Sequence, residues 1–432
     1  MPQRILITGA SVAGATTAWW LGRHGFDVEV VEKAPAFREG GQNVDVRGAA
    51  REVLRRMGLE AAAQARTTGE RGTDWVNSGD RPIARFAVDD IGDGPTAELE
   101  ILRGDIARLI FEPAARHARF RFGDGIAALT QDADGVDVRF ESGRAARYDL
   151  VIVAEGVGAP TRERVFPGET RSRWLDITIA YFSIPRTAAD GPFARVHNIT
   201  RGRGATFKPG PDDRLHVYLG QQKTPGDEAQ WGPARQKAWL HHLFDGEGWQ
   251  FPRILAGMDA TDDFYFDVLR QVKMPRWSNG RVVLTGDAAW CATPMSGIGT
   301  SLAIVGGYVL AGELARSGGH RAAFDSYERI LRPYVQEGQN FPKLLPRLLW
   351  PHSAAGLSVL RGAMRLASTP LVRKTFSRLF VRDSEAIDLP DYPAPPAPRD
   401  SDGAVASGQV NSQLPSNRPG SKVNSPATAN PR

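Results

Sequence analysis

The sequence predicts an α/β fold with an α+β second part, on three observations. The chain opens on a strand, a Gly-bearing turn, a helix and a second strand in MPQRILITGASVAGATTAWWLGRHGFDVEVVEK. Its middle carries long β-type runs such as DITIAYFSI and RLHVYLGQQ. Late in the chain a buried strand, RVVLTGDAAW, ends in an acidic turn and leads into a helix of small residues. A βαβ start calls for a parallel sheet, and the separate β-runs call for a sheet of their own. The expected architecture is a Rossmann-like nucleotide-binding domain, a second domain carrying its own β-sheet, and C-terminal helices.

Residues 4–8 read as a buried strand, 14–24 as a helix and 27–31 as the second strand. Gly48 to Met57 has amphipathic helical spacing, Thr73 to Val88 alternates like a hairpin, and Arg103 to Ala118 returns to helical periodicity. From Arg119 to Phe140 short strands are broken by Gly-Asp and Asp-Gly turns, and the apolar strand Leu150 to Val153 rejoins the first sheet. The second sheet has one helical insertion near 233–246. A helix follows from about Gly297 to Ala315, and further helices run to about Val381. Beyond Leu389 the chain is rich in Pro, Ser, Asn and Gly and has too few large apolar groups to order itself. The expected boundaries are 1–170 with 276–340 for a discontinuous nucleotide-binding domain, and 171–275 with part of 73–100 for the second sheet. Residues 341–388 are assigned to C-terminal helices and 389–432 to a disordered tail.

The 432 residues suffice for about two to three domains. Apolar residues at 41% and charged ones at 24% match a globular enzyme. Lys and Arg exceed Asp and Glu by five, but they are scattered, and no RNA or DNA module signature is present, so nucleic acid is not an expected partner. Cys291 is the only cysteine, which excludes an internal disulfide and any multi-thiolate metal site; no carboxylate-histidine spacing resembles a ligand set either. There is no signal-peptide pattern, and the longest apolar run, Ser301 to Ala311, falls short of the roughly 20 residues that span a bilayer. A cytoplasmic protein without stable membrane insertion, monomeric or homodimeric, is expected.

The stretch TGASVAG admits two cofactors. Thr8-Gly9-Ala10-Ser11 looks like a short-chain dehydrogenase opening, yet the further glycines of that pattern would fall on Ala13 and Ala15. The Tyr with a Lys four residues later, which serves there as general acid or base, is absent at all eight tyrosines. Gly9 to Gly14 instead keeps the outer spacing of G-x-G-x-x-G, with Ser11 in the middle position and Ala13 beside the last glycine. The first Gly supports a tight turn, the last lets the helix pack on the strand, and free helix N–H groups face a pyrophosphate. Glu32, 18 residues after Gly14, stands where a carboxylate accepts both hydroxyls of an adenosine ribose, with Lys33 beside it. This fingerprint fits NAD and FAD alike.

The second signal is Asp287 in the turn after RVVLTG, followed by Pro294, Gly297 and Gly299 before a new helix. Such a carboxylate can accept a hydrogen bond from a ribityl hydroxyl, and the next helix's N–H groups can stabilise charge on a reduced isoalloxazine. Alone, an acidic turn reads equally as a helix cap. Together with the distant glycine turn it points to FAD.

These stretches resemble the FAD-dependent class A aromatic monooxygenases of the para-hydroxybenzoate hydroxylase fold. The resemblance covers about residues 3–340 and is nearest the branch with tetracycline-inactivating and actinobacterial antibiotic-tailoring enzymes. GASVAG resembles the family's G-x-G-x-x-G; Ala154-Glu155-Gly156 with Thr161-Arg162 resembles its Asp-Gly motif; GDAAWCATPMSGIG resembles its Gly-Asp motif. Ser11 replaces a glycine, Glu155 an aspartate and Trp290 a common histidine, and Thr300-Ser301 stand where asparagine often follows. The resemblance implies bound FAD, NADPH or NADH as a transient co-substrate, and O2. It also implies that Arg38 and Asp45 in REGGQNVDVRG, and Arg103 in ILRGDIARLI, lie on the cofactor. Planar guanidinium donors suit that role, with surface solvation the rival reading.

By the same resemblance, oxygen would add at flavin C4a and one oxygen atom would pass to an electron-rich ring in a site kept dry. The expected substrate is an aromatic or polycyclic small molecule, a secondary metabolite or antibiotic. Its pocket is expected between the second sheet and the flavin, with Trp290, Pro294 and Met295 near the ring. Phe182, Phe207 and Tyr218 are available for stacking, although alternation alone leaves open which face they take. No catalytic base is identified; His197, His216 and the His241-His242 pair read as solvated or structural. Lys343 to Arg382 contains eight Lys or Arg and no Asp or Glu, interleaved with apolar residues. Helices there suit a lid over the substrate opening, and the rival is attachment to an acidic membrane surface. A flavin-dependent halogenase would show Trp-x-Trp-x-Ile-Pro, which is absent. A flavoprotein that catalyses a redox-neutral rearrangement, or only binds, stays open.

Overall fold

Ile5, Leu6 and Ile7 are wholly buried and form the centre of β1 (Arg4–Thr8), followed by α1 (Val12–Arg23) and β2 (Asp27–Glu32). The computed structural model describes residues 2–38, 41–88, 99–211, 213–370, 372 and 387–392. The next elements are β3 (Asn43–Asp45), α2 (Ala49–Arg56), α3 (Glu60–Gln64), β4 (Gly72–Val76), β5 (Pro82–Ala87), β6 (Glu100–Leu102) and α4 (Arg103–Ala114). Then come β7 (Arg119–Phe122), β8 (Ile126–Gln131), β9 (Val136–Phe140), β10 (Ala145–Tyr148), β11 (Leu150–Val153) and α5 (Pro160–Val165). The second half holds β12 (Arg171–Pro185), β13 (Ala194–Ile199), β14 (Arg203–Pro209), β15 (Arg214–Gln222), α6 (Pro233–Phe244), α7 (Phe251–Ala260) and β16 (Tyr265–Lys273). The chain continues through β17 (Ser278–Asn279), β18 (Val282–Leu284), α8 (Asp287–Trp290), α9 (Gly299–Arg316), α10 (His320–Gly338), α11 (Leu345–Leu349) and α12 (Ala354–Ala367).

The six-stranded sheet runs β17-β18-β11-β1-β2-β7, and β1 lies parallel between β2 and β11. β11 pairs on one side with β1 and on the other with β18, so a strand from late in the chain joins the sheet the N-terminus begins, and such near-continuous Val, Ile and Leu runs are stable when covered on both faces. β8, β9 and β10 form a small antiparallel sheet, and β3 pairs with β6.

The seven-stranded sheet runs β16-β12-β15-β14-β13-β4-β5. Alternation sorts its side chains onto two faces. Phe182, Ile184, Phe207, Val217 and Leu219 pack with Leu240 and Phe244 of α6 and with Phe251, Ile254 and Met258 of α7. Ile179, Tyr181 and Leu269 lie on the opposite face, where Tyr218, Met295, Phe341, Leu345 and Trp350 join them. β12 slips register against β16 between Trp174 and Thr178, where Asp176 has φ +58°, an irregularity that bends the strand.

Two expectations change. The helical insertion is two helices rather than one: Gly246 turns at φ +79° after α6, and Pro252 sits in the first turn of α7, so the chain breaks and Phe244 stacks on Phe251 at 4.9 Å. The disordered tail expected from residue 389 does not begin there, since residues 389–392 are placed against the fold. Tyr392 is buried, its hydroxyl donates to Glu313 Oε1 at 2.8 Å, and its ring occupies the space that a side chain on Gly312 would fill. Residues 393–432, and the helix expected at 373–381, lie outside the described residues.

Candidate cofactor and substrate site

The turn after β1 has little room. Gly9 has φ +101°; a Cβ there would stand 2.3 Å from the Ala154 carbonyl oxygen, and one on Gly14 would stand 1.9 Å from the Gly9 carbonyl oxygen. Only glycine lets the turn close against the end of β11. Ser11 is the exposed N-cap of α1, and no side chain caps that helix, which leaves first-turn amides free for an anion. Glu32 accepts from Ala10 N at 2.9 Å and Ala34 N at 2.8 Å, and a carboxylate retains lone pairs for ligand hydroxyls. Beside it, the exposed Lys33 ammonium pairs with Glu141 at 3.0 Å on the β9–β10 hairpin.

The three motifs form one joint. Thr8 Oγ1 donates to Glu155, and Thr161 donates to the same carboxylate from N at 2.9 Å and Oγ1 at 2.6 Å. Glu155 therefore ties the end of β1 to the start of α5, a span its extra methylene allows. Arg162 is buried and donates to the carbonyls of Ala288 and Val157, each at 3.1 Å. Gly286, at φ +60°, completes the contact: a Cβ on it would lie 2.7 Å from Ala13 Cβ.

Asp287 opens to solvent yet is ringed by protein, as for a group on the floor of a concave surface. Burial, then repulsion from Asp267, push its carboxyl up to about 6, with Arg103 opposing. Arg103 packs across Gly41, and burial, aided by Arg38, lowers its guanidinium against the pull of Tyr265 and Asp287. Arg38 itself is exposed. Asp45 pairs with Arg47 at 2.9 Å, burial raises its carboxyl, and its Oδ2 lies 3.2 Å from where a Gly297 Cβ would stand. Gly297 is left-handed at φ +66°, and Gly299 opens α9 with nothing within 4 Å of a Cβ added to it. Both polar atoms of the Asn43 side chain and the Thr293 hydroxyl are buried without a partner. Uncapped amides, a glycine cradle and orphaned polar atoms around Asp287 and Arg103 fit a flavin dinucleotide.

Beside these residues lies a narrow slot of about 10 Å³, lined by Gly41 and Gln42 and by Tyr181, Phe182, Ser183, His216, Tyr218, Asp263 and Tyr265. Tyr181 meets Tyr218 edge-on at 4.9 Å and stacks on Tyr265 at 6.1 Å. The Tyr218 hydroxyl accepts from Asn43 N at 3.0 Å, joining the second sheet to β3. Tyr218 lines the slot, Met295 packs against the same apolar cluster, and Pro294 is exposed on the turn before it.

Two of the residues expected in the pocket lie in the core, and a third, Phe182, is shared between core and slot. Phe207 lies on the helix side of the sheet, buried and stacked on Trp249 at 5.2 Å. Phe182 touches the slot wall, but its ring is packed in the same helix-side core. Trp290 is 2% exposed and lies 4.4 Å from Trp277 beneath α9, so it is core. Sequence reasoning missed Tyr181, Tyr265, Asn43 and Ser183, and read His216 as solvated or structural. For Tyr181, Ser183 and His216 the signal was present as alternate positions in DITIAYFSI and RLHVYLGQQ, but assigning a face needs the strand register, and Tyr265 and Asn43 lie outside both stretches. Among the other histidines, His197 is buried against Trp249 with Nδ1 on Val76 O, and His241 sits between Asp245 and Asp259.

A parallel nucleotide-binding sheet whose glycine turn and acidic turn interlock, set against an antiparallel sheet with a tyrosine-lined slot, defines a flavin-dependent monooxygenase of the class A type. The chain belongs to the FAD binding domain family, whose sequence profile matches residues 3–341. It is 31% identical over 419 residues to the FAD-dependent monooxygenase asL6 of Sarocladium schorii, covering 91% of this chain and 99% of the relative. It is 35% identical over 346 residues to a flavin-dependent monooxygenase of Legionella longbeachae, covering 78% and 87%. Among solved structures it is similar to the tetracycline destructase Tet(55), with 31% identity and a TM-score of 0.75 over 90% of this chain and 99% of that one. No group of His, Cys, Asp and Glu among the described residues could hold a metal ion.

Proposed function

We propose that the protein holds FAD and uses NADPH or NADH with O2 to hydroxylate an aromatic or polycyclic small molecule. The observation that carries this reading is the interlocked joint of Glu155, Arg162 and Gly286, which sets Asp287 and Arg103 beside an aromatic slot. Bound FAD would supply the redox chemistry, passing two electrons from NAD(P)H to O2, of which one oxygen atom would go to the substrate and the other to water.

The chain's own residues would bind, orient and exclude water. Glu32, Ser11 and the first-turn amides of α1 would hold the adenosine and pyrophosphate. Asp287 would accept from a ribityl hydroxyl, Arg103 and Arg38 would donate to cofactor oxygens, and Asp45, Gly297 and Gly299 would frame the ring system. The N-terminus of α9, with no acidic residue in its first turn, favours negative charge there. Tyr181, Tyr218 and Tyr265 would orient a flat substrate by stacking. Phe341, Leu345 and Trp350 cover the same sheet face, which supports a lid in residues 341–370 that keeps water out. The similarity to a tetracycline destructase supports a polycyclic substrate. No described helix is long and apolar enough to cross a membrane, and a cytoplasmic monomer or homodimer is the arrangement we assign.

The test is a visible spectrum of the purified chain, then oxygen uptake with NADPH or NADH in the presence and absence of candidate phenols. A yellow protein whose uptake rises with a phenol supports the reading. A colourless chain that refuses added FAD overturns it.

A further inference from the structure

We infer that Ser183 and Asp263 fix His216 as a hydrogen-bond acceptor on the slot wall, so that the site takes a substrate presenting an O–H or N–H donor there. The substrate half rests on the reading of the slot given above; the orientation of His216 does not.

His216 on β15 lies in register with Ser183 on β12, and the two are 7% and 4% exposed. Asp263 Oδ1 accepts from Ser183 N at 3.0 Å and from the Thr261 hydroxyl, while Oδ2 accepts from the Ser183 hydroxyl. Burial pushes the Asp263 carboxyl up, but the bonds from Ser183 and Thr261 outweigh it and hold the group below its ordinary range. It is therefore an ionised, acceptor-only partner. A serine has one hydroxyl proton, and here it is committed to Asp263. Ser183 Oγ lies 3.3 Å from His216 Nδ1 and can only accept on that side, so Nδ1 carries a hydrogen.

Burial lowers the His216 imidazolium to about 4, leaving a neutral ring with one proton at pH 7. With that proton on Nδ1, Nε2 presents a bare lone pair, and it is buried without a partner. The cations around the ring are engaged elsewhere: Arg214 donates to the Ser183 carbonyl at 3.3 Å, and Lys208, in register on β14, is tied to Glu100 and to Glu70, the latter at 3.3 Å. The ring packs directly on Gly210, where a Cβ would stand 2.4 Å from Nε2, so glycine at that position lets His216 take its place on the slot wall. An unpaired buried acceptor is unfavourable, and a ligand donor entering the slot relieves it; such a site rejects an analogue whose hydroxyl is blocked. Ser183 and Asp263 act through His216 and are positioning residues.

The test uses the full chain with FAD bound and histidine labelled with nitrogen-15. Long-range proton–nitrogen correlation reports the tautomer, with the His216 signals identified by their loss in H216Q. The wild type is expected to show a protonated Nδ1 and a bare Nε2. S183A is expected to release the ring to the Nε2–H form, and S183T, which keeps the hydroxyl, to restore the original pattern. An Nε2–H ring in the wild type, or no change in S183A, overturns the orientation. Equilibrium dialysis then compares 4-cyanophenol with its methyl ether. At least tenfold tighter binding of the phenol, reduced in S183A, is expected, and equal binding overturns the substrate half. If neither compound binds while the tautomer pattern holds, the reading of the slot fails and the orientation stands.

Discussion

The Arg162 guanidinium donates to the Ala288 carbonyl at 3.1 Å, so a residue of α5 holds the acidic turn of α8 beside the glycine turn after β1. Removing it would leave the carbonyls of Ala288 and Val157 unpaired. R162A is expected to lose about 2 to 4 kcal/mol of stability and to release FAD faster. R162K keeps the charge but lacks the planar fork, so it should fall between the two. Chemical unfolding and FAD dissociation rates measure both effects, and an R162A protein that keeps its flavin as the wild type does would count against the joint.

The glycines separate folding from binding. G9A and G14A force a Cβ into backbone oxygens at 2.3 and 1.9 Å, so both should fold poorly even without cofactor. G299A meets open space at a helix start, and alanine there favours the helix by up to about 1 kcal/mol. Its flavin-free form should melt no lower than wild type while its FAD affinity drops. Unchanged affinity would remove Gly299 from the cofactor site.

Asp287 sets a pH dependence with a definite sign. Its carboxyl lies at about 6 in the folded chain against an ordinary 3.8, so the folded state binds more protons between those values. Flavin-free stability should therefore fall as pH rises from about 4 through 6 and level off above. D287N should raise the melting temperature at pH 8, lose that advantage near pH 4, and bind FAD weakly. Parallel pH-dependent melting curves for the two proteins would show that the charge is not penalised.

The two faces of the second sheet should respond differently. F207A removes a buried ring from the helix-side core and is expected to cost about 3 to 5 kcal/mol. Tyr265 is 48% exposed, so Y265A should change stability by less than about 1 kcal/mol while weakening substrate binding at least tenfold. Comparing melting temperature with substrate affinity for the pair checks the assignment of faces.

The local pattern of residues determined much of this protein. Gly9, Gly14 and the Val-Ile-Leu strands around them state their own backbone geometry, because a left-handed turn and a doubly covered strand each demand particular side chains. The same holds for the acidic turn at Asp287, which declares itself by composition and place in the chain. Tertiary structure alone decided which face of each strand meets the slot: strand pairing and the bend in β12 at Asp176 put Tyr181, Ser183 and His216 on one side and Phe182 and Phe207 on the other. Likewise Trp290 and Tyr392 were assigned by packing against Trp277 and the Gly312 surface, contacts between residues far apart in the chain. Alternation has a period but no sign, and only the long-range pairing of strands supplies one.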